Sequence, residues 1–457
     1  MSLRLLHFAD LEAAYDVPER VGRVVTAIET LRDESTVVTG GGDDTSPSVL
    51  SMATAGRQSL DFFEAVRPDV EVFGNHEFDH SPARAVELAR ESPQTWLNAN
   101  VYEGDERFAA EVSTASTVVD TAAGRVGLFG LSPPELCAIN PGLTFNVRDP
   151  VSVGTREAER LRREDDAEYV VAVSHCGDDT ELAAAADVDV ILGGHDHEPR
   201  DEVVAGTRLV RPGAAGRRLA EVRVEPDGTE TRWHDVTEFD PDEAVTQTLD
   251  HRLEALGLDT VVTTVDGPLS RRVRDGESPV GTFVAESFRR AGDADVGLVN
   301  SMAMRDCGVP LDGRVTLADL HSLVPFDGGG LVTLSLSGRE LRAVAREASA
   351  KHIDRDDLWN GQFAGLTMTW DAERETVDSL AVGDRPVDPE ARYTLTTLRY
   401  LIVEDTEFPT LGESAVVAES GSLHEAMADC ARQSGIPTQP VGWLTRSGES
   451  DTPETQR

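Results

Sequence analysis

The sequence predicts an α/β protein built from two domains. At 457 residues the chain is longer than one ordinary domain. In the first half, short apolar segments alternate with segments of helical periodicity, and an acidic stretch around Pro241 separates this half from a second series of strands and helices. We therefore expect a first domain over residues 1–240, a linker or hinge over 241–262 that begins with a helix, a second domain over 263–445 and a disordered tail over 446–457.

The individual elements follow from hydrophobic periodicity. Apolar segments of strand length lie at 3–8, 36–39, 70–73, 126–129, 169–173 and 188–192, and helical periodicity appears between them at 18–31 and 59–66. In the second half we predict helices at 280–291 and 338–350 and strands at 296–300 and 331–336. Alternation of this kind is typical of sheets covered by helices.

The charge of the chain excludes two classes of partner. Lys and Arg total 42 against 83 Asp and Glu, which gives a formal net charge of -41. A field of that sign repels phosphate polymers and anionic lipids, so we expect neither a nucleic-acid polymer nor a membrane as a partner. Lys351 is the only lysine, and an acidic, lysine-poor composition resembles that of halophilic proteins.

Segment composition predicts a cytoplasmic protein. Residues 1–7 contain no apolar segment followed by a cleavage site, and no apolar segment reaches the roughly 18 residues of a membrane span. The four cysteines, Cys137, Cys176, Cys307 and Cys430, are scattered and match neither a disulfide framework nor a CxxC site. The sequence does not indicate an oligomeric state.

Polar clusters follow five of the predicted strands. They are Asp10-Leu11-Glu12, Gly42-Asp43-Asp44, Gly74-Asn75-His76-Glu77, His175-Cys176-Gly177 and Gly193-Gly194-His195-Asp196-His197. Ligand sites in α/β sheets lie beyond the carboxyl ends of strands, so five such clusters predict one site. Mixed carboxylate, amide and imidazole ligands suit Mn²⁺, Zn²⁺ or Co²⁺, and seven candidate ligands suit two divalent metal ions. We expect Asp44 to be a solvated loop residue and His7, within the first strand, to be buried and hydrogen-bonded.

These clusters carry a family resemblance. Gly74-Asn75-His76-Glu77-Phe78-Asp79 resembles the GNHEFD signature of calcineurin-like metallophosphoesterases of the 5′-nucleotidase branch. Gly42-Asp43, Asn98-Ala99-Asn100 and Gly194-His195-Asp196-His197 resemble the family's GD, NxN and GHxH elements, in the family's order. In the second half, Asn300–Arg305 and Pro325-Phe326 resemble the NxGGxR and PFxN elements of the nucleotidase C-terminal domain.

The resemblance implies a fold and a set of roles. The first domain is expected to be a four-layer α-β-β-α sandwich, and the second an α/β substrate-binding domain. Asp10, Glu12, Asp43 and His197 match the ligands of one metal, and Asp43, Asn75, His175 and His195 match those of the other, with Asp43 bridging. His76 matches the residue that neutralises the phosphate or protonates the leaving oxygen, and Asp79 the residue that orients it.

Position 12 departs from the family pattern. The family has Asp-x-His where this chain has Asp10-Leu11-Glu12. If Glu12 is a ligand, the extra carboxylate favours harder ions such as Mn²⁺ or Mg²⁺ over Zn²⁺. The alternative is that Glu12 points away and the first metal binds poorly.

Substrate-binding residues are implied in the second domain. Arg274 and Arg305 match arginines that bind the phosphate side of a nucleotide, and Arg271 is a substitute for a further arginine that is missing at Ser270. Phe326 and Phe408 match the two aromatic residues that stack on the base, although neighbouring glycines and an asparagine of the family pattern are absent. The competing interpretations are surface ion pairs for the arginines and core packing for Phe326.

The sequence therefore predicts a metal-dependent hydrolase of phosphoric esters. The leading interpretation is hydrolysis of nucleoside 5′-monophosphates by a metal-activated water, extending to 2′,3′-cyclic nucleotides or nucleotide sugars. One alternative is a phosphoesterase for another small phosphorylated metabolite. Another is a non-catalytic nucleotide- or metal-binding relative, against which the retention of both His76 and Asp79 argues. By resemblance, a hinge near residues 240–254 would rotate the second domain.

Overall fold

The computed structural model describes residues 2–447 except 141, 327–328, 354, 356–357 and 405, and the side chain of Glu404. The chain divides into two compact units, Met1–Leu256 and Gly257–Arg457. Within the described residues, no helix combines the length and the apolar character that crossing a membrane requires.

Across its described residues, the first unit contains sixteen strands and eight α-helices. The strands are β1 (Leu3–Phe8), β2 (Thr36–Gly40), β3 (Val70–Val72), β4 (Thr95–Leu97), β5 (Val101–Glu103), β6 (Glu106–Arg107), β7 (Ser113–Thr114), β8 (Ser116–Thr121), β9 (Gly124–Leu131), β10 (Asn146–Val147), β11 (Tyr169–Ser174), β12 (Val190–Gly193), β13 (Arg200–Val204), β14 (Thr207–Arg211), β15 (Arg218–Glu225) and β16 (Gly228–Asp235). The helices are α1 (Pro18–Leu31), α2 (Val49–Thr54), α3 (Ser59–Val66), α4 (Pro82–Glu91), α5 (Leu136–Ile139), α6 (Pro150–Glu164), α7 (Thr180–Ala185) and α8 (Glu243–Ala255).

Two sheets pack face to face in this unit. One has the strand order β16-β15-β1-β2-β3-β4-β7 and the other β13-β14-β12-β11-β9-β8. Successive residues of one strand face opposite layers: Leu5 belongs to the core between the sheets, whereas Leu6 packs under helices α1, α3 and α8. Helices α6 and α7 cover the outer face of the second sheet. The four-layer α-β-β-α prediction is therefore confirmed.

Helix α1 shows why the sequence forms these elements. Pro18 occupies its first turn, where a missing N–H costs no hydrogen bond. Val21, Val24, Val25 and Ile28 recur at helical spacing and are buried against the sheet. The helix thus buries one stripe and holds the loop that precedes it at the sheet edge.

The segment expected to be a linker contains an ordered helix. Asp242 caps α8 through its carboxylate, which accepts a hydrogen bond from the Val245 backbone N–H. Val245 and Leu249 of this helix join the same core as Ile28. The division between the units follows α8, after Leu256. The domain bounds 1–240, 241–262 and 263–445 remain predictions.

The second unit contains eleven strands and five α-helices within the described residues. The strands are β17 (Val261–Leu269), β18 (Val296–Asn300), β19 (Leu311–Thr316), β20 (Leu331–Ser337), β21 (Gly361–Ala364), β22 (Leu366–Asp371), β23 (Thr376–Val382), β24 (Arg385–Pro386), β25 (Arg392–Leu398), β26 (Val416–Glu419) and β27 (Leu444–Ser447). The helices are α9 (Pro279–Ala291), α10 (Leu317–His321), α11 (Gly338–Glu347), α12 (Tyr400–Glu404) and α13 (Leu423–Ser434).

A five-stranded sheet, β21-β18-β25-β20-β26, organises the second unit, and a four-stranded sheet, β24-β23-β22-β27, flanks it. Separate hydrophobic cores lie on its two faces, one with α9 and α13 and the other with α11. The expected tail is wrong at its start, because Arg446 and Ser447 pair with Trp370 and Asp371 as part of β27. Residues 448–457 lie outside the described residues.

Candidate metal centre

Five candidate ligands follow strands whose carboxyl ends meet at one edge of the packed sheets. They are Asp10 after β1, Asp43 after β2, Asn75 after β3, His175 after β11 and His195 after β12. Strands β1–β3 are parallel neighbours in one sheet, and β11 and β12 are parallel neighbours in the other. Parallel pairing therefore brings side chains that are distant in sequence into one group.

The loops at this edge have a strained backbone. Asp10, Glu12, Asp43 and His195 have φ angles of 52°, 38°, 55° and 75°, in the left-handed region that side chains other than glycine rarely adopt. Such conformations persist where the surrounding contacts hold them, and they concentrate at functional sites. These four residues all belong to the groups of candidate metal ligands described below.

Asp43, His175 and His195 form one group whose ligand atoms all lie within 4.8 Å of one another. His175 Nδ1 lies 2.6 Å from the Gly41 carbonyl oxygen, and Nε2 lies 2.9 Å from Asp43 Oδ2. Asn75 adjoins this group, since its Oδ1 lies 2.9 Å from Nδ1 of His195. Three of the four residues predicted for the second metal therefore lie within reach of one another, and Asn75 joins them through His195.

Asp10, Glu12 and His197 form the other group, again within 4.8 Å. His197 Nε2 lies 3.2 Å from Glu12 Oε1 and 3.8 Å from Asp10 Oδ1. Glu12 is only 2% exposed and points into the group rather than away from it. Asp43 and Glu12 also lie within 4.8 Å of each other, so the two groups adjoin.

His76 stands beside both groups. Its Nδ1 lies 3.0 Å from each carboxylate oxygen of Asp79, and its Nε2 lies 3.9 Å from Glu12 Oε1. Asp79 in turn accepts a hydrogen bond of 2.8 Å from the Ser46 hydroxyl. Burial opposes protonation of His76, but Asp79, Asp43 and Glu12 outweigh it and raise the pKa of the imidazole to about 10.

The site concentrates negative charge away from water. Burial raises the pKa of Asp10 to about 7 despite the nearby histidines. Although burial acts in the opposite direction, the neighbouring carboxylates Asp43 and Asp10 raise the pKa of His175 to about 10. His195 behaves differently: burial and the positive charge of His175 lower its pKa to about 4.

The residues present fit divalent metal ions. His175 Nε2 is buried and makes no well-directed hydrogen bond, so it is available as a ligand. Each group combines imidazole nitrogen with carboxylate oxygen and contains no thiolate, a set that suits borderline and hard divalent ions. A cation would also relieve the repulsion among Asp10, Glu12 and Asp43.

Two residues beside the centre had no role in the sequence interpretation. Ser46, which holds Asp79, has no signal in the sequence. Glu77 lies within the signature segment, where its carboxylate accepts hydrogen bonds from the loop of Asp43. The prediction for Asp44 is wrong: it is fully buried, and its Oδ1 accepts a hydrogen bond from the Leu11 backbone N–H. The prediction for His7 is right, since the residue is buried and its Nδ1 lies within hydrogen-bond distance, 2.9 Å, of Thr39 Oγ1.

In the second unit the structure brings Arg305 and Phe326 together. The Arg305 guanidinium lies over the Phe326 ring, 4.8 Å from its centre, and donates to the Met302 carbonyl at 2.7 Å. Phe326 is half-buried and packs against one of the cores. Arg274 is exposed, and its carbonyl accepts a hydrogen bond from the Trp359 backbone N–H.

Two predicted substrate residues are not available to a ligand in this structure. Phe408 is fully buried in the core that contains Leu401 and Leu411, so no base can stack on its ring. Arg271 is 3% exposed and forms an ion pair of 2.9 Å with Asp319. Both were expected at the substrate, and the packing of their neighbours places them in the interior instead.

The chain matches models of two protein families. A family model described as calcineurin-like phosphoesterase matches residues 3–199, and a model of the 5′-nucleotidase C-terminal domain matches residues 260–413. The two models follow each other in the order of the two units.

Individual relatives are distant in sequence. The chain is 23% identical over 449 residues to endonuclease YhcR of Bacillus subtilis, and the match covers 86% of this chain but 35% of that protein. It is 22% identical over 457 residues to a 5′-nucleotidase of Vibrio vulnificus, covering 84% and 81%. A crystal structure of a 5′-nucleotidase precursor from Thermus thermophilus matches with a TM-score of 0.83 and 20% identity, covering 98% of this chain and all of that one.

Proposed function

The chain belongs to the calcineurin-like phosphoesterases that carry a 5′-nucleotidase C-terminal domain, and on this premise we propose that it hydrolyses nucleoside 5′-monophosphates to nucleoside and phosphate. Relatives named 5′-nucleotidase support this substrate class. The chain is thus a hydrolase of phosphoric ester bonds, and 2′,3′-cyclic nucleotides and nucleotide sugars are further substrates to test.

We assign two divalent ions to the centre. Asp10, Glu12, Asp43 and His197 would hold one ion, and Asp43, Asn75, His175 and His195 the other. Divalent ions bound there neutralise phosphoryl charge and make water a better nucleophile near neutral pH. Of Mn²⁺, Mg²⁺, Co²⁺ and Zn²⁺, the carboxylate-rich group around Glu12 favours the harder ions Mn²⁺ and Mg²⁺.

His76 supplies the proton for the leaving oxygen. Its Nδ1 is held by Asp79, which leaves Nε2 directed toward Glu12 and the centre. In the metal-free protein Asp79, Asp43 and Glu12 outweigh burial and raise the pKa of the ring, and a protonated ring can also neutralise charge on the phosphate. Asp79 fixes the ring orientation, and Ser46 fixes Asp79.

Arg274, Arg305 and Phe326 are assigned to the nucleotide. Arginine guanidinium groups pair with phosphate or ribose oxygens, and an aromatic ring offers a face for a base. Because Arg305 already lies over Phe326, we expect the pair to contact the substrate as one unit. Phe408 is not part of this assignment.

The observation that carries the proposal is the adjacency of two mixed ligand groups with the His76–Asp79 pair. The test is release of phosphate from AMP in multi-molar KCl with Mn²⁺, Mg²⁺, Co²⁺ and Zn²⁺ compared in parallel. We expect metal-dependent turnover that is lost in Asp43→Asn and kept in the exposed control Glu19→Gln. Absence of turnover with every metal would leave only a binding role.

A second candidate function is hydrolysis of another small phosphorylated metabolite. The burial of Phe408 favours it, because this ring cannot stack on one face of a base while Phe326 stacks on the other. A screen that includes sugar phosphates beside the nucleotides distinguishes the two. A higher kcat/KM for a sugar phosphate than for any nucleotide would support this second function.

A further inference from the structure

The carboxylate of Glu77 is saturated with hydrogen bonds from the metal-binding loops. Its Oε2 accepts from the backbone N–H of Asp43 at 2.9 Å and of Gly74 at 2.7 Å. Its Oε1 accepts from the backbone N–H of Asp44 at 3.0 Å, and from the N–H and hydroxyl of Thr45 at 3.2 and 3.1 Å. Glu77 is 2% exposed, so water does not compete for these bonds.

The two loops that Glu77 joins are tightly fitted. Asp43 follows β2 with a φ of 55°, a conformation that needs support from its surroundings. A Cβ atom on Gly74 would lie 2.2 Å from Asp43 Oδ1, so the backbone after β3 approaches that carboxylate too closely for any residue other than glycine. Small displacements of either loop would therefore move the Asp43 side chain.

Hydrogen bonds between the loop of Asp43 and the segment of His76 and Glu77 run in both directions. While Glu77 accepts the backbone N–H of Asp43, Asp43 Oδ1 accepts the backbone N–H of His76 at 2.7 Å. Oδ1 of Asp43 is thereby engaged in a hydrogen bond, and Oδ2 is the oxygen that faces His175. The direction in which Asp43 offers its free oxygen depends on both bonds.

Glu77 is held by dipoles rather than by a cation. Among the residues that the structure describes, no arginine or lysine forms an ion pair with it, and its five partners are N–H groups and one hydroxyl. Both oxygens must act as acceptors. A glutamine at this position would turn an NH₂ group toward at least two donors, which leaves those N–H groups without partners.

From these contacts we propose that Glu77 is a positioning residue: it sets the orientation in which Asp43 is presented to the metals. The proposal rests on the proposed function, because it gives Asp43 the role of a shared ligand. Outer residues that orient metal ligands typically change metal affinity by about 10–100-fold when replaced. Glu77 does so through the backbone of the ligand itself.

The test compares Glu77→Gln and Glu77→Asp with a matched control, Glu277→Gln. Glu277 also accepts several backbone N–H bonds, from Val441 at 2.6 Å and Gly442 at 2.8 Å, but it lies in the second unit. Each protein is loaded with Co²⁺, whose visible absorption reports ligand geometry, and the Mn²⁺ dissociation constant is measured by calorimetry. Thermal unfolding is followed in parallel.

We expect Glu77→Gln to change the Co²⁺ spectrum and to weaken Mn²⁺ binding by about 10–100-fold, with Glu77→Asp intermediate. In turnover, kcat should fall more than KM rises. Glu277→Gln should lower only the unfolding temperature. A wild-type Co²⁺ spectrum and Mn²⁺ affinity in Glu77→Gln would overturn the proposal, and if that variant does not fold, the same result in Glu77→Asp would do so. A spectral change in a protein that hydrolyses no phosphate ester would support the positioning role while refuting the proposed function.

Discussion

Glu12 Oε1 lies 3.2 Å from His197 Nε2, at the position where the family pattern has a histidine. A carboxylate there makes the group of Asp10, Glu12 and His197 richer in oxygen, and oxygen ligands favour Mn²⁺ and Mg²⁺ over Zn²⁺. We expect Glu12→His to raise the ratio of Zn²⁺ to Mn²⁺ affinity by at least about tenfold. Competition calorimetry measures this ratio directly.

The matched control for this exchange is Glu19→His, at an exposed glutamate in the first turn of α1. It introduces the same imidazole away from the centre and should leave the ratio unchanged. An unchanged ratio in Glu12→His would show that position 12 does not contact the metal.

The chain Ser46–Asp79–His76 predicts a graded loss of activity. His76→Asn should lower kcat for AMP by about 10²–10⁴-fold, because the leaving nucleoside oxygen needs a proton. With p-nitrophenyl phosphate the loss should be much smaller, since nitrophenolate leaves without protonation. Ser46→Ala removes one hydrogen bond to Asp79 and should lower kcat for AMP by about tenfold.

Ser287→Ala is a suitable control for Ser46→Ala, because Ser287 is also buried and donates only to the Val284 carbonyl in α9. It should not change kcat. Equal losses of His76→Asn on both substrates would contradict proton donation and indicate that His76 acts by neutralising phosphate charge.

Metal binding should depend steeply on pH through His175. Its pKa is raised to about 10 in the metal-free protein, mainly because Asp43 and Asp10 outweigh the effect of burial. A metal binds only the unprotonated ring, so below that pKa the ion held by Asp43, Asn75, His175 and His195 must displace a proton. The Mn²⁺ affinity should therefore rise by about tenfold per pH unit across the neutral range and level off near the pKa.

Calorimetry in two buffers of different ionisation enthalpy counts the protons released per ion. We expect at least one near neutral pH. A pH-independent affinity with no proton release would contradict the protonated state of His175 in the metal-free site.

The burial of Phe408 predicts a loss of stability rather than of substrate affinity. Phe408→Ala removes a fully buried ring and should lower the free energy of unfolding of the second unit by about 3–5 kcal/mol. Phe408→Leu, which keeps most of the volume, should cost less and leave KM for AMP unchanged. Thermal unfolding and steady-state kinetics on both variants test this.

With one aromatic contact instead of two, base selectivity should be weak, so kcat/KM for AMP, GMP, CMP and UMP should agree within about tenfold. A rise in KM for AMP in Phe408→Leu at unchanged stability would contradict this prediction and indicate that Phe408 contacts the substrate.

Much of the fold was predictable because its signals are local. The apolar segment 3–8 indicates the first strand, and the spacing of Val21, Val25 and Ile28 indicates α1. The packing of the helix after Asp240 could not be predicted in this way. Whether an acidic, weakly amphipathic helix is a linker or part of a core depends on what packs against it, and here α1 does.

The sequence by itself determined which chemical groups reach the site. Asp10, Asp43, Asn75, His175 and His195 each follow a strand, and parallel strands bring such residues to one edge wherever the loops lead. The types of candidate ligand could therefore be predicted from residue order alone.

Only the tertiary structure decided how individual side chains are used. Glu12 points inward, Asp44 and Phe408 are buried, and Glu77 accepts five hydrogen bonds from two metal-binding loops. The burial and partners of a side chain depend on segments that are distant in sequence. The sequence around a loop carboxylate or a phenylalanine therefore looks the same whether that side chain faces water, a ligand or the core.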